Sequence, residues 1–260
     1  MDLGLTGKVA LVTGSSRGIG RGIAVAFAAE GCDLLLTGRD VPALEEVATS
    51  IRAKGRKAMV HPLDLREPSA PKSLVEAAKR EYGGLDILVN NAGTTRRGDF
   101  FALTDSDWEE GYALKFFAHV RLARAAWPLL KERRGSLVAI AGTSGRKPEK
   151  QFTIGSSVNA AVAAFTKCLA DLGKDDNVQV NCIHPSLVET ERQWRRIRAE
   201  VEKTGAPEDK VREMFCRETG IMRFGTVEDV ADLVTFIVSR RATWLHGATI
   251  DLDGGEIPVL

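Results

Sequence analysis

Short apolar runs and longer stretches with helical spacing alternate along this chain almost from end to end. Residues 8–13 (KVALVT) form an aliphatic, β-branched run too short for a helix, so they read as a strand. A glycine-rich turn follows, and then an apolar helical pattern that runs to residue 30. Similar runs predict strands at 33–37, 57–62, 86–90, 136–141, 178–184 and 249–252. Helices are predicted between them near 42–54, 68–82, 106–133, 156–174 and 227–239. Strands separated by helices imply right-handed crossovers and a parallel sheet covered on both faces. No internal repeat, low-complexity tract or linker interrupts the pattern, which predicts a single domain over residues 1–260. The exception is 189–225, a charged, helix-prone insert between the sixth strand and the last helix. In a doubly wound sheet ligands bind beyond the carboxyl ends of the strands, so an insert leaving that edge is placed to act as a lid.

Composition narrows the partners. A formal charge of +1 on 260 residues gives no global field to recruit nucleic acid or an acidic membrane, and neither partner is expected. Cys32, Cys168, Cys182 and Cys216 are scattered without a CxxC pair, which argues against a zinc site or a disulfide framework. Each is expected as a small buried thiol in a helix or strand. Residues 1–8 carry no apolar signal core, and no uncharged apolar run reaches the roughly 18 residues of a spanning helix. These features predict a reduced, cytoplasmic setting.

The first chemical signal is Thr13-Gly14-Ser15-Ser16-Arg17-Gly18-Ile19-Gly20, directly after the first strand and opening a helix. Glycines there permit a tight turn and bring backbone N–H groups to a pyrophosphate at the helix N-terminus. The spacing TGxxxGxG is that of the short-chain dehydrogenases/reductases, and further motifs follow in that family's order. These are Asp64-Leu65 after the third strand, Asn90-Asn91-Ala92-Gly93 after the fourth, and Asn181 to Thr190 (NCIHPSLVET) at the sixth. Arg223-Phe224-Gly225, Glu228-Asp229-Val230-Ala231 and Asp253-Gly254-Gly255 resemble the family's C-terminal signature. The resemblance covers nearly the whole chain. It implies a Rossmann-type doubly wound α/β fold with a seven-stranded parallel sheet and helices on both faces. It also implies a dinucleotide held by Gly14, Ser16, Arg17, Gly18, Ile19, Gly20, Arg39, Asp64, Leu65, Asn91, Ala92, Gly93, Pro185, Val188 and Thr190.

Charge bears on which dinucleotide. An NAD(H) site sets an acid after the second strand to take the ribose 2′-OH, whereas a 2′-phosphate needs cations. Here that strand ends Thr37-Gly38-Arg39, with Gly38 where the acid would stand. Arg39 and Arg17 both offer forked donors to a phosphate, and Asp40 comes one residue too late. NADP(H) is expected over NAD(H).

The catalytic positions depart from the family. Its chemistry uses a Tyr acid/base, a Lys four residues on, a carbonyl-orienting Ser and an Asn that holds a relay water. The run from Ala160 to Lys167 resembles the segment after the family's Lys, which puts Gly155 at the Tyr and Asn159 at the Lys. The run from Gly135 to Gly142 puts Gly142 at the Ser, and counting from Trp108 puts Lys115 at the Asn. Neither tyrosine of the chain, Tyr82 or Tyr112, stands near the register. Lys115 and Asn159 look like an exchange between adjoining helices, and the two glycines are expected to open space beside the nicotinamide. Lys115 is the candidate catalyst, able to donate a proton, stabilise an oxyanion or attack a carbonyl.

Around this pocket the sequence clusters cations: Arg96, Arg97, Arg146, Lys147 and Lys150 in loops, and Arg192, Arg195, Arg196 and Arg198 in the insert. Solvated loops explain most such charges; the alternative is an anionic small-molecule substrate, such as an acyl thioester or organic acid. His61, His119, His184 and His246 share no metal-ligand spacing, and no metal is expected. The leading expectation is an NADP(H)-dependent oxidoreductase with a non-standard site. A non-enzymatic dinucleotide-binding sensor or partner subunit and a Lys115-dependent lyase or hydrolase stand as alternatives. The resemblance also implies a homodimer or homotetramer, with helices 106–133 and 156–174 pairing across a two-fold axis.

Overall fold

A computed structural model describes residues 1–258. Seven parallel strands form one sheet in the order β3-β2-β1-β4-β5-β6-β7. They are β1 (Val9–Thr13), β2 (Asp33–Thr37), β3 (Ala58–Val60), β4 (Ile87–Asn90), β5 (Ser136–Ile140), β6 (Gln179–Pro185) and β7 (Thr249–Leu252). The order reverses direction between β1 and β4. That switch point opens a crevice at the strands' carboxyl ends.

Side chains alternate along each strand, so each strand serves two cores. On one face Ala10, Val12, Leu34, Leu36 and Val89 pack against α1 (Gly18–Ala29), α2 (Val41–Arg52) and α9 (Val227–Ile237). On the other, Leu11, Leu35, Leu88 and Leu137 pack against α3 (Ala70–Tyr82), α5 (Ala118–Arg133) and α6 (Thr153–Asp176). α1 and α9 lie very close: a Cβ built on Gly22 would stand 2.0 Å from Val227 Cγ1. Only glycine permits that approach.

Two stretches differ from the sequence reading. The predicted helix 106–133 is three pieces: α4 (Asp105–Tyr112), a π-helical turn over Ala113–Phe117, and α5. One extra residue in a turn leaves the apolar spacing on either side intact, which is why the pattern reads as continuous. The second is the start of α6 at Thr153, three residues earlier than predicted, which brings Gly155 into its first turn. The insert folds as α7 (Glu191–Thr204) and α8 (Glu208–Thr219) around a small apolar cluster of its own, centred on Ile197, Val211 and Phe224.

The cysteines also need correction. Cys182 is buried in β6 and Cys32 is buried in the turn before β2, but Cys168 lies exposed on α6 and Cys216 is half-buried. No helix among the described residues is long and apolar enough to cross a membrane.

Candidate functional site

At the switch point the loop after β1 and the loop after β4 are stapled together by one hydroxyl. Thr13 Oγ1 donates to the Val89 carbonyl and accepts from the backbone N–H groups of Asn91 and Ala92, both at 2.9 Å. Asn91 returns the contact, its amide donating to the Thr13 carbonyl at 2.8 Å. Gly14 and Gly18 have φ of +65° and +54°, and a Cβ on Gly20 would stand 2.3 Å from the Gly14 carbonyl oxygen. This close turn delivers the chain into α1. No side chain caps the helix, so its first N–H groups face the crevice free. That is the arrangement a pyrophosphate requires. Thr190, which caps α7, packs its methyl group toward Gly18. Ile19 lies in the first turn of α1, and Val188 pairs with Gly225 in an isolated bridge beyond β6. Pro185 ends β6 itself.

A cleft of about 320 Å³ continues outward, lined by Arg39, Arg66, Thr94, Arg96, Glu110 and Leu114 among others. Arg39 is exposed there, and Asp40 turns aside to cap α2 by accepting from Ala43 N–H. Asp64 does not stand free. Arg66 forks onto its carboxylate and, with Arg39 nearby, holds the carboxyl below the usual carboxylate range. Arg66 escaped the sequence reading, although it lies two residues from a flagged aspartate. Leu65 is buried behind this cleft.

Three of the four positions singled out by the family register, Lys115, Gly142 and Asn159, meet just beyond β5. Lys115, in the π-turn, is half-buried, and its ammonium donates to the carbonyls of Ala141 (3.2 Å) and Ile140 (3.4 Å). Its stem crosses Gly93, where a Cβ would stand 2.8 Å from Lys115 Cδ; a side chain there would expel it. Burial, reinforced by the Arg192 guanidinium, pushes the Lys115 amine down to about 8. Asn159, on α6, donates to Ser144 Oγ at 2.9 Å, which ties up that hydroxyl.

The expected opening at the two glycines is not there. A Cβ on Gly142 would meet Asn159 Nδ2 at 3.0 Å, and one on Gly155 would stand 2.2 Å from ring carbons of Phe152. Phe152 folds back over the start of α6 and fills the room a side chain at 155 would need. Arg97 stacks on its outer face, 4.2 Å from the ring centroid. Phe152 was missed because the helix was expected to begin after it. With the true start, its three-residue spacing from Gly155 is the signal that could have found it.

The histidines are committed elsewhere. His184 Nδ1 donates to the Gly142 carbonyl at 2.6 Å, and His246 and His61 bond Ala170 O and Ser73 Oγ. His119 donates from Nε2 to Ala92 O; burial and the nearby Lys115 push it down to about 3, so it stays neutral. Among the described residues, no group of His, Cys, Asp and Glu is arranged to hold a metal.

Most of the loop cations are likewise paired: Arg96 with Asp107, Arg97 with Glu149, Arg146 with Asp251, Lys147 with Glu256 and Arg198 with Glu191. Among the described residues no ion pair engages Arg17, Arg39, Lys115, Arg192, Arg195 or Arg196. Arg192 reaches from α7 to the Gly93 carbonyl at 2.9 Å, on the residue that Lys115 crosses.

A doubly wound sheet with a glycine turn, an uncapped helix start and free cations at its switch point defines a dinucleotide-binding class of fold. Comparison with known proteins carries this to a family. The profile of the short chain dehydrogenase family matches residues 8–201. The chain is 31% identical to 2,3-dihydro-2,3-dihydroxybenzoate dehydrogenase of Bacillus subtilis, over 97% of each. It is 30% identical to the 3-oxoacyl-[acyl-carrier-protein] reductase FabG of Escherichia coli, over 96% of this chain and 97% of that one. The crystal structure of L-sorbose reductase from Gluconobacter frateurii, complexed with NADPH and L-sorbose, superposes with a TM-score of 0.96 at 35% identity, covering all of both chains. The chain belongs to the short-chain dehydrogenase family.

Proposed function

We propose that this protein binds NADP(H) across the switch point and interconverts a carbonyl and an alcohol, with Lys115 as the proton-transfer group. The observation that carries the reading is the Lys115 ammonium itself. It stands at the end of β5, aimed by the carbonyls of Ile140 and Ala141, and among the described residues no carboxylate pairs with it. Arg17 and Arg39 would hold the 2′-phosphate, and the N–H groups of α1 with the Thr13-stapled loops would hold the pyrophosphate. When bound, the dinucleotide supplies or accepts the hydride. In reduction Lys115 gives its proton to the carbonyl oxygen, so hydride and proton together make the alcohol; in oxidation the neutral amine takes the hydroxyl proton. The NADPH held by the Gluconobacter relative supports the cofactor.

The α7–α8 pair serves as the lid of a single domain, the protein assembles as a homo-oligomer, and it works in the cytoplasm. One observation favours a second reading, a non-enzymatic NADP(H)-binding protein: the Phe152 ring fills the room beside Gly155.

Calorimetric titration with NADPH and NADH tests the cofactor. NADPH is expected to bind at least about tenfold more tightly, and Arg39→Ala to erase most of the difference. Equal affinities refute the assignment. Turnover on a panel of carbonyl compounds that disappears in Lys115→Met supports the enzyme; no turnover in either protein, with NADPH bound, supports the second reading.

A further inference from the structure

Gly93 is bracketed by two cations from different elements. Lys115 reaches it from the π-turn, its aliphatic stem lying where a side chain on Gly93 would be, and its amine goes on to the end of β5. Arg192 reaches it from the first turn of α7, donating to its carbonyl oxygen. Its neighbours on α7 are engaged locally. Arg195 donates to Glu191 O, Arg198 pairs with Glu191, and Arg196 bonds Gln193 and lies 5.3 Å from the Phe215 ring centroid. Arg192 carries its charge across to the loop after β4. It is solvent-accessible, so a small molecule in the crevice can meet it.

Like charges set together without an acid between them repel, and the arrangement is stabilised when an anion enters. Arg192 lies close enough to Lys115 to add to the lowering of its amine. A guanidinium fork accepts a carboxylate in two parallel hydrogen bonds, whereas an ammonium is a point donor suited to one oxygen.

We propose that Arg192 and Lys115 together form a site for a small oxo acid or hydroxy acid, with Arg192 holding the carboxylate and Lys115 the adjacent carbonyl or hydroxyl oxygen. This rests on the proton-transfer role given to Lys115 above and names the substrate class for it. The fork binds only when α7 lies over the crevice, so the substrate's own carboxylate would hold the insert closed.

Oxalate, which presents two carboxylates on adjacent carbons, is the probe. Titrated into the NADPH-saturated protein, it is expected to bind. Arg192→Gln should weaken it by about tenfold, while NADPH affinity stays within about twofold of the wild type. Oxalate binding unchanged in Arg192→Gln overturns the proposal. So does a variant that loses NADPH affinity and keeps oxalate, because Arg192 then serves the cofactor's phosphates. The same titration without dinucleotide separates this proposal from the reading it rests on. If NADPH fails to bind at all but oxalate still binds through Arg192, the oxidoreductase function falls and the anion site stands.

Discussion

An ammonium held partly out of water without a paired carboxylate is under electrostatic stress, and among the described residues Lys115 is such a group. Its amine is lowered from 10.5 to about 8, first by burial and then by Arg192. Between those two values the unfolded chain keeps a proton that the folded chain releases. The Lys115 contribution to stability therefore rises with pH across that window, while the buried thiols of Cys32 and Cys182, pushed up to about 12, act in the opposite direction above about pH 9. In thermal melts the midpoint of Lys115→Met relative to the parent should therefore fall from pH 8 to 10. Activity runs the other way. Reduction needs the protonated amine, so its rate should be level below about pH 8 and fall above it, with no such inflection in the variant. A profile flat through that region would remove Lys115 from the chemistry. At this scale the sequence was informative about identity and silent about engagement. It marked Lys115, Arg17 and Arg39, which do stand free of ion pairs. It marked Arg97 and Lys147 equally, because their partners Glu149 and Glu256 lie 52 and 109 positions away along the chain (149 − 97 and 256 − 147).

Elements decide how the altered pocket is filled. The loop before α6 carries Phe152 back over Gly155, and Gly142, two residues beyond β5, lies against the Asn159 amide. A side chain restored at 155 meets an occupied volume. Gly155→Tyr is expected to destabilise the protein by about 1–3 kcal/mol, the usual range for overpacking. Urea denaturation measures this, and adding Phe152→Ala should recover part of the loss. A Tyr variant as stable as the parent would show that the ring swings aside freely. The order of elements was legible because a strand needs only a short apolar run and a helix only a periodic one. The π-turn was not, since one inserted residue leaves both flanking patterns whole. Nor was the early start of α6, whose cap residue Phe152 has no side-chain cap hydrogen bond to announce it.

At the scale of the whole molecule, the sheet is closed on both faces, yet apolar side chains remain outside. Phe117 and Leu172 are 46% and 47% exposed on the π-turn and α6, the elements expected to pair across a two-fold axis. Light scattering at micromolar concentration should report a dimer or tetramer, and Phe117→Asp should shift it toward monomer. A monomeric parent contradicts the pairing.

The close seat of Gly22 on Val227 bears on how the chain is made. Ile23, Ala24 and Phe27 of α1 share one apolar cluster with Val230, Val234 and Ile237 of α9, some two hundred residues later. A nascent chain emerging N-terminus first therefore exposes this face of its first helix until α9 has left the ribosome. The central strand β1 waits similarly, its second neighbour β4 arriving only after β2 and β3. Such delay leaves apolar surface open to other chains in a crowded cell. The order in which these two helices are synthesised thus predicts that the nascent chain depends on early cover of its apolar segments.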